Sequence, residues 1–206
     1  MGDIISYVYE FGGFTFTEKP FCEIDGLVLS HLSYFIFDGI VPQIDENKPA
    51  IALCDVAQKM DWHNFISVKW ELEKNRELFY NTAFSRRYRN TKVNYLMEEM
   101  DIDEGMQFCA VTFLLGNGDT FLSFRGTDDA LVGWKEDFNM AYRTPVGAQY
   151  KSTEYVNQVA RLLAKKRSLR FYLGGHSKGG NLAVYAAMTC DDTVKHRIGR
   201  IYNMDG

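Results

Sequence analysis

Gly175-His176-Ser177-Lys178-Gly179 stands inside LGGHSKGGNLAVYAA, residues 173 to 187, and its residue types and spacing point directly to chemistry. A serine becomes an exposed nucleophile when a tight strand-to-helix turn lifts its hydroxyl above the carboxyl ends of the strands. Small flanking residues let strand and helix approach that closely. Gly175 and Gly179 meet that need, and Gly180 extends it. A helix starting behind the serine offers free N–H groups and a positive dipole end, which favour negative charge on an attacked carbonyl oxygen. Five letters arise by chance too readily to decide the matter, and a glycine-rich turn with an idle serine is the plain alternative. Context favours a nucleophile: an apolar run precedes the turn and the small-residue run NLAVYAAM follows it.

The elements that must position this serine follow from periodicity. An apolar strand is predicted over 169–173, a helix from about 178 to 189, and a last strand over 198–204. Upstream, QFCAVTFLL (107–115) and DTFLSFRG (119–126) are rich in Phe, Val and Thr. Gly-Asn-Gly separates them, as in a hairpin. In TEYVNQVARLLAKKR, Tyr155, Val156, Val159, Leu162 and Leu163 mark a helical stripe, with Lys165, Lys166 and Arg167 in the last turn. Strand, helix, strand, helix, strand predicts an α/β fold with a mostly parallel sheet and crossover helices, because parallel neighbours need long connections.

The first hundred residues read as largely helical. Asp25 is expected to cap a helix over GLVLSHLSYFIFD that ends near Gly39 and Pro42, and a short helix is expected to start at Pro49. A charged helical stretch spans 64–90, where Arg86, Arg87 and Arg89 are expected to form a solvated helix end, an anion patch being the other reading. With no repeat or linker, residues 1–206 are expected to be one domain, helical over 1–100 and carrying the sheet and turn over 101–206.

In FLSFRGTDDALVGWKEDFNMAY (121–142) a strand ends abruptly at Arg125-Gly126-Thr127, where a backbone N–H can serve as an oxyanion donor beside the N–H of Lys178. SFRGT followed by GWKEDF resembles the segment that carries the oxyanion residue in class 3 lipases, and GHSKGG resembles their nucleophile elbow. QFCAVTF, FRGTDDALVGWKEDFNM, GGHSKGGNLAVYAAM and the final RIYNMDG together resemble a bacterial family of lipase-like α/β-hydrolase domains of unknown function. The likeness runs over most of the chain.

That resemblance implies an α/β-hydrolase-like fold with a helical portion ahead of the sheet. It makes Ser177 the nucleophile, gives Thr127 and Lys178 the oxyanion-hole N–H groups, and makes Trp134 and Asp137 scaffold beside the entrance. Arg125 and Asp137 are either a partly buried ion pair or two solvated charges. The loop over 128–133 is a candidate lid, whose Ala130, Leu131 and Val132 either face an acyl chain or simply pack. Lys178 stands where lipases commonly have an apolar residue. A lysine acts as a base when burial lowers its pKa, but beside the serine on a turn this one is expected to point into solvent.

A serine nucleophile needs a base within about 2.6 to 3.2 Å, directly or through a water. His176 adjoins Ser177 inside the turn, where neighbouring side chains diverge, and reads as a packing residue. His196 precedes the last strand and belongs at the opposite edge of a parallel sheet, while His31 and His63 reach the site only if helices fold back over it. In α/β-hydrolases the acid and then the histidine follow the nucleophile. Asp205 is the candidate acid, and no histidine follows it in the sequence. The expectation is therefore that the chain is the N-terminal part of a longer hydrolase, truncated before its histidine and true acid. Its last strand would be an exposed sheet edge favouring a homo-oligomer.

Composition bounds the rest. A net charge of −4 argues against nucleic acid as a partner, and no apolar run approaches the ~18 residues that suggest a membrane span. With no basic leader, a cytoplasmic location is expected. Met1-Gly2 with Ser6 loosely fits the N-myristoylation pattern, against which Asp3 argues. Cys22, Cys54, Cys109 and Cys190 lie far apart and read as isolated thiols, so neither metal nor organic cofactor is expected. The expected function is a lipase- or esterase-type serine hydrolase acting on a small-molecule acyl ester or thioester through an acyl-enzyme, with these 206 residues alone weak or inactive. The other reading is a non-catalytic module that binds an acyl or peptide ligand in the same pocket.

Overall fold

The run 106–114 is apolar on both sides because both of its faces are covered. Cys109, Val111 and Phe113 point into one core, and Phe108 and Ala110 into another. In the computed structural model, which describes residues 3–128, 130–165 and 170–206, this run is strand β3 (Met106–Leu114) of an open sheet. The other strands are β1 (Ile51–Ala52), β2 (Lys92–Asp101), β4 (Thr120–Phe124), β5 (Phe171–His176) and β6 (Ile198–Met204), adjacent in chain order. Helices α1 (Ile4–Phe11), α2 (Glu23–Leu32), α3 (Leu53–Lys59) and α4 (Leu72–Phe84) precede β2. The helices α5 (Leu131–Met140) and α6 (Gly147–Leu162) lie between β4 and β5, and α7 (Lys178–Thr189) and α8 (Asp192–Lys195) between β5 and β6.

The architecture is mixed α/β in three layers. Val28, Leu29 and Leu32 of α2 share one core with Val111 and Phe121 of the sheet. On the other face, Tyr155, Val156 and Val159 of α6 and Leu182, Ala183 and Ala186 of α7 pack with Leu122, Phe124, Phe171 and Leu173. Ser123 adds a polar tie, its hydroxyl donating to the Leu29 carbonyl at 3.0 Å. β4, β5 and β6 are parallel, as the intervening helices require. The pairings β1–β2, β2–β3 and β3–β4 are antiparallel, so the expectation of a mostly parallel sheet is corrected. Short turns join β2 to β3 and β3 to β4, and a short turn admits only antiparallel neighbours.

β2 also corrects the expected helical portion over 1–100. Val93, Leu96, Met97 and Met100 fall at helical spacing. A register shift between Asn94 and Met97, with Tyr95 at φ 57°, lets a strand bury Val93, Leu96 and Met97 despite it. Pro49 leads into β1 rather than a helix, and 64–71 is irregular before α4 begins. α2 ends at Leu32, not near Gly39, and Asp25 is not its cap. Cys22 takes that position, and Asp25 at the third helical residue accepts the Cys22 N–H at 2.9 Å. α6 starts at Gly147, six residues ahead of TEYVNQVARLLAKKR, where the Gln149 side chain accepts the Val146 N–H at 3.0 Å.

Arg87 is not solvated. It is buried against Asp25, with Nε–Oδ1 at 2.7 Å and Nη2–Oδ2 at 2.6 Å. The four cysteines are free thiols, and β6 forms one edge of the sheet. Among the described residues no helix is long and apolar enough to cross a membrane. Met1 and Gly2 of the acylation pattern, and Lys166, Arg167 and Leu169, lie outside the described residues.

Candidate active site

β5 runs into α7 through one residue. Ser177 sits at φ 54°, ψ −131°, a region that costs a non-glycine residue about 1–3 kcal/mol and persists only where its surroundings impose it. Three restraints do so here. The Ser177 N–H donates to the Met204 carbonyl at 2.9 Å, which fastens the turn to the end of β6. The Ser177 carbonyl accepts the Gly180 N–H at 2.8 Å and so starts α7. The third is close approach: a Cβ on Gly179 would collide with the Phe124 carbonyl at the end of β4, and one on Gly175 with the Gly179 backbone.

The half-buried Ser177 lines a cleft of about 220 Å³ with Asp137, Met140, Lys178, Asn181, Asp205 and Gly206. Of the residues read from the sequence, the structure thus brings together Ser177, Lys178, Asp137 and Asp205, while Thr127 is not among those that line the cleft. Asp205 is exposed, at φ 60°, just past the carboxyl end of β6. Lys178 is the first residue of α7, so its N–H has no partner four residues back within the helix.

Thr127 lies on the loop leaving β4, which packs against the turn. A Cβ on the preceding Gly126 would meet the Tyr34 hydroxyl and lie 2.6 Å from the His176 carbonyl. The Thr127 hydroxyl donates to Asp137 Oδ2 at 2.6 Å. Asp137 Oδ1 is also buried and has no hydrogen-bond partner among the described residues. Arg125 does not pair with Asp137, nor is it solvated: it is buried, with Nη1 3.0 Å from Glu98 and Nη2 3.6 Å from Asp128. The β2 strand, unforeseen from the sequence, supplies that Glu98.

The Lys178 side chain corrects a second expectation. Far from reaching solvent, its ammonium is buried, donating to Glu136 Oε2 at 2.9 Å and to the Gln107 carbonyl at 2.8 Å. Residues 131–133 belong to α5 rather than to a lid loop. Leu131, Trp134 and Phe138 of α5 are exposed, while Gly133 and Glu136 are its buried residues.

None of the four histidines lines the cleft. His176 Nδ1 is hydrogen-bonded to the Tyr34 hydroxyl at 3.0 Å. Burial pushes that hydroxyl up to about 12, the Arg125 charge opposing in part, so Tyr34 stays protonated across the ordinary range. His31 Nε2 is 2.7 Å from Asn75 Oδ1, and burial holds its pKa below the usual imidazole value. His63 lies in a turn, and His196 ends α8 ahead of β6, at the sheet edge opposite Ser177.

Glu136, Gln107 and Tyr34 were not singled out from the sequence. Glu136 lies within GWKEDF, where it reads as one charge among three, and Gln107 opens QFCAVTF, where it reads as the first residue of a strand. The assembled groups are a strained serine at a helix N-terminus, the first amide of that helix and two carboxylates, Asp137 and Asp205, in the same cleft lining, a set that suits acyl transfer. The family model described as Mbeg1-like, a lipase-like family of uncharacterised function, matches residues 82–206, which take in β2 to β6 and the whole cleft. No curated protein and no solved structure matches the chain.

Proposed function

The chain belongs to the Mbeg1-like family, and we propose that it is a serine carboxylic-ester hydrolase of lipase or esterase type, related to class 3 lipases and built on an α/β-hydrolase-like core. Ser177 Oγ attacks the carbonyl carbon of an acyl ester or thioester while its proton passes to a base. The oxyanion rests on the N–H groups of Thr127 and Lys178. Collapse expels the alcohol or thiol, which takes up the proton and leaves the acyl group on Ser177, and water then releases the acid. The observation that carries this reading is Ser177 held at φ 54° on a strand-to-helix turn that opens into a cleft.

In this reading none of the four histidines of residues 1–206 stands where it could serve as that base. His31 and His176 are engaged with other partners, and neither they nor His63 and His196 line the cleft. Asp205 is the acid taken in this reading from a cleft lining that also includes Asp137.

The test uses the protein with whatever sequence its gene encodes after Gly206. Short p-nitrophenyl esters are to be hydrolysed, and Ser177→Ala is to lower kcat by roughly 10³-fold or more. Residues 1–206 alone are to show weak or no turnover. Full turnover by those residues would mean that the base has been misplaced. A folded, inert full-length protein would favour a module that binds an acyl or peptide ligand without cleaving it.

A further inference from the structure

Lys178 contributes two groups to the site: its N–H, an oxyanion donor in the reading above, and an ammonium buried beneath it. Burying an ammonium costs several kcal/mol unless a partner and hydrogen bonds replace its water. Glu136 is that partner, and it does more than neutralise. Its Oε2 accepts from Lys178 Nζ at 2.9 Å and from the Gln107 N–H at 3.1 Å, and its Oε1 accepts from the Ala148 N–H at 2.9 Å. One carboxylate thus joins α5 to the starts of β3, α6 and α7.

The second donor is tied to the same place. The Thr127 hydroxyl is held by Asp137, the residue after Glu136. The Gln107 side chain donates to Asp128 Oδ1 at 2.7 Å, which fixes the same loop from the other side. The two proposed donors therefore sit on segments whose side chains converge on Glu136-Asp137, and Gly133 and Glu136 are the fully buried residues of α5. Resting on the hydrolase reading, we propose that Glu136 is a positioning residue of the oxyanion hole, its ion pair with Lys178 setting the spacing between the Lys178 and Thr127 amides.

A buried ion pair is weak evidence of stability, since an apolar pair of similar volume often replaces it without loss, whereas removing one partner strands a charge. Geometry and stability can therefore be separated. The experiment compares Glu136→Gln, Lys178→Met and the double variant E136Q/K178M in the full-length gene product. It measures the maximal rate and half-saturation of labelling by a fluorophosphonate probe, alongside the melting temperature. Lys178→Met leaves Glu136 unpaired and is expected to melt lowest. The double variant strands no charge, but its carboxamide offers one acceptor oxygen where the carboxylate gave one each to the Gln107 and Ala148 N–H groups. It is expected to melt between Lys178→Met and the parent and to label at a maximal rate lower by roughly 10- to 100-fold, with half-saturation nearly unchanged.

A folded double variant that labels like the parent, whatever its melting temperature, would overturn the proposal, and so would one that no longer folds, since either outcome makes the pair purely structural. Should Glu136→Gln fail to fold, the double variant carries the comparison. A folded parent that does not label at Ser177 would sink the hydrolase reading itself, and this inference with it.

Discussion

The Thr127 hydroxyl donates to Asp137 Oδ2 at 2.6 Å, so the loop leaving β4 is fastened to α5 on the side that faces the Ser177 cleft. A backbone amide stabilises a developing oxyanion only if its direction is set before the charge appears. Thr127→Val keeps the shape and removes the fastening. It is expected to lower kcat roughly 10-fold, while Thr127→Ser, which keeps the hydroxyl, stays near the parent. Steady-state kinetics on a p-nitrophenyl ester distinguish the two, and equal rates would deny the loop its anchor.

Gly179 tests the turn itself. Because an added methyl would collide with the Phe124 carbonyl, Gly179→Ala must push α7 away from β4. The expected cost is about 1–3 kcal/mol, read from urea unfolding. A neutral substitution would mean that helix and strand are not in the close contact described.

In the helical layer, Asp25 and Arg87 form the buried pair at 2.6 and 2.7 Å. Asp25→Ala leaves the guanidinium buried without its carboxylate and is expected to cost about 3–5 kcal/mol. The same change also removes the acceptor of the Tyr88 hydroxyl. Urea unfolding gives the value, and a loss below 1 kcal/mol would count against burial of the pair.

His31 makes stability depend on pH. Its folded pKa is depressed, first by burial, against an unfolded value of about 6.5. The folded state therefore binds its proton less readily than the unfolded chain. Its contribution is intact above the unfolded value and is lost as pH falls from there through the folded value. Melting temperature is expected to drop between pH 7 and 5, and His31→Gln should flatten that drop. Identical slopes for parent and variant would remove His31 as the cause.

The elements around the turn were legible in the sequence because glycine and apolar periodicity act locally: α7 and β6 lie where their residues predict them. β2 was hidden by its bulge, which places Val93, Leu96 and Met97 on a buried strand at a spacing that reads as helical. Asp25 and Lys178 were misjudged for another reason. Each is an ordinary surface residue by type, and its burial depends on a partner 62 or 42 residues away. The same holds for Arg125, whose nearest carboxylate belongs to the unforeseen strand. Local pattern carries no record of such pairings, so the groups that hold the proposed oxyanion donors came into view only with the fold.

The most direct measurement is mass spectrometry of the full-length gene product after treatment with a fluorophosphonate. A single phosphonyl adduct on the peptide containing Ser177, lost in Ser177→Ala and after denaturation, is the predicted result. A folded protein left unmodified, or modified at another residue, would contradict the account.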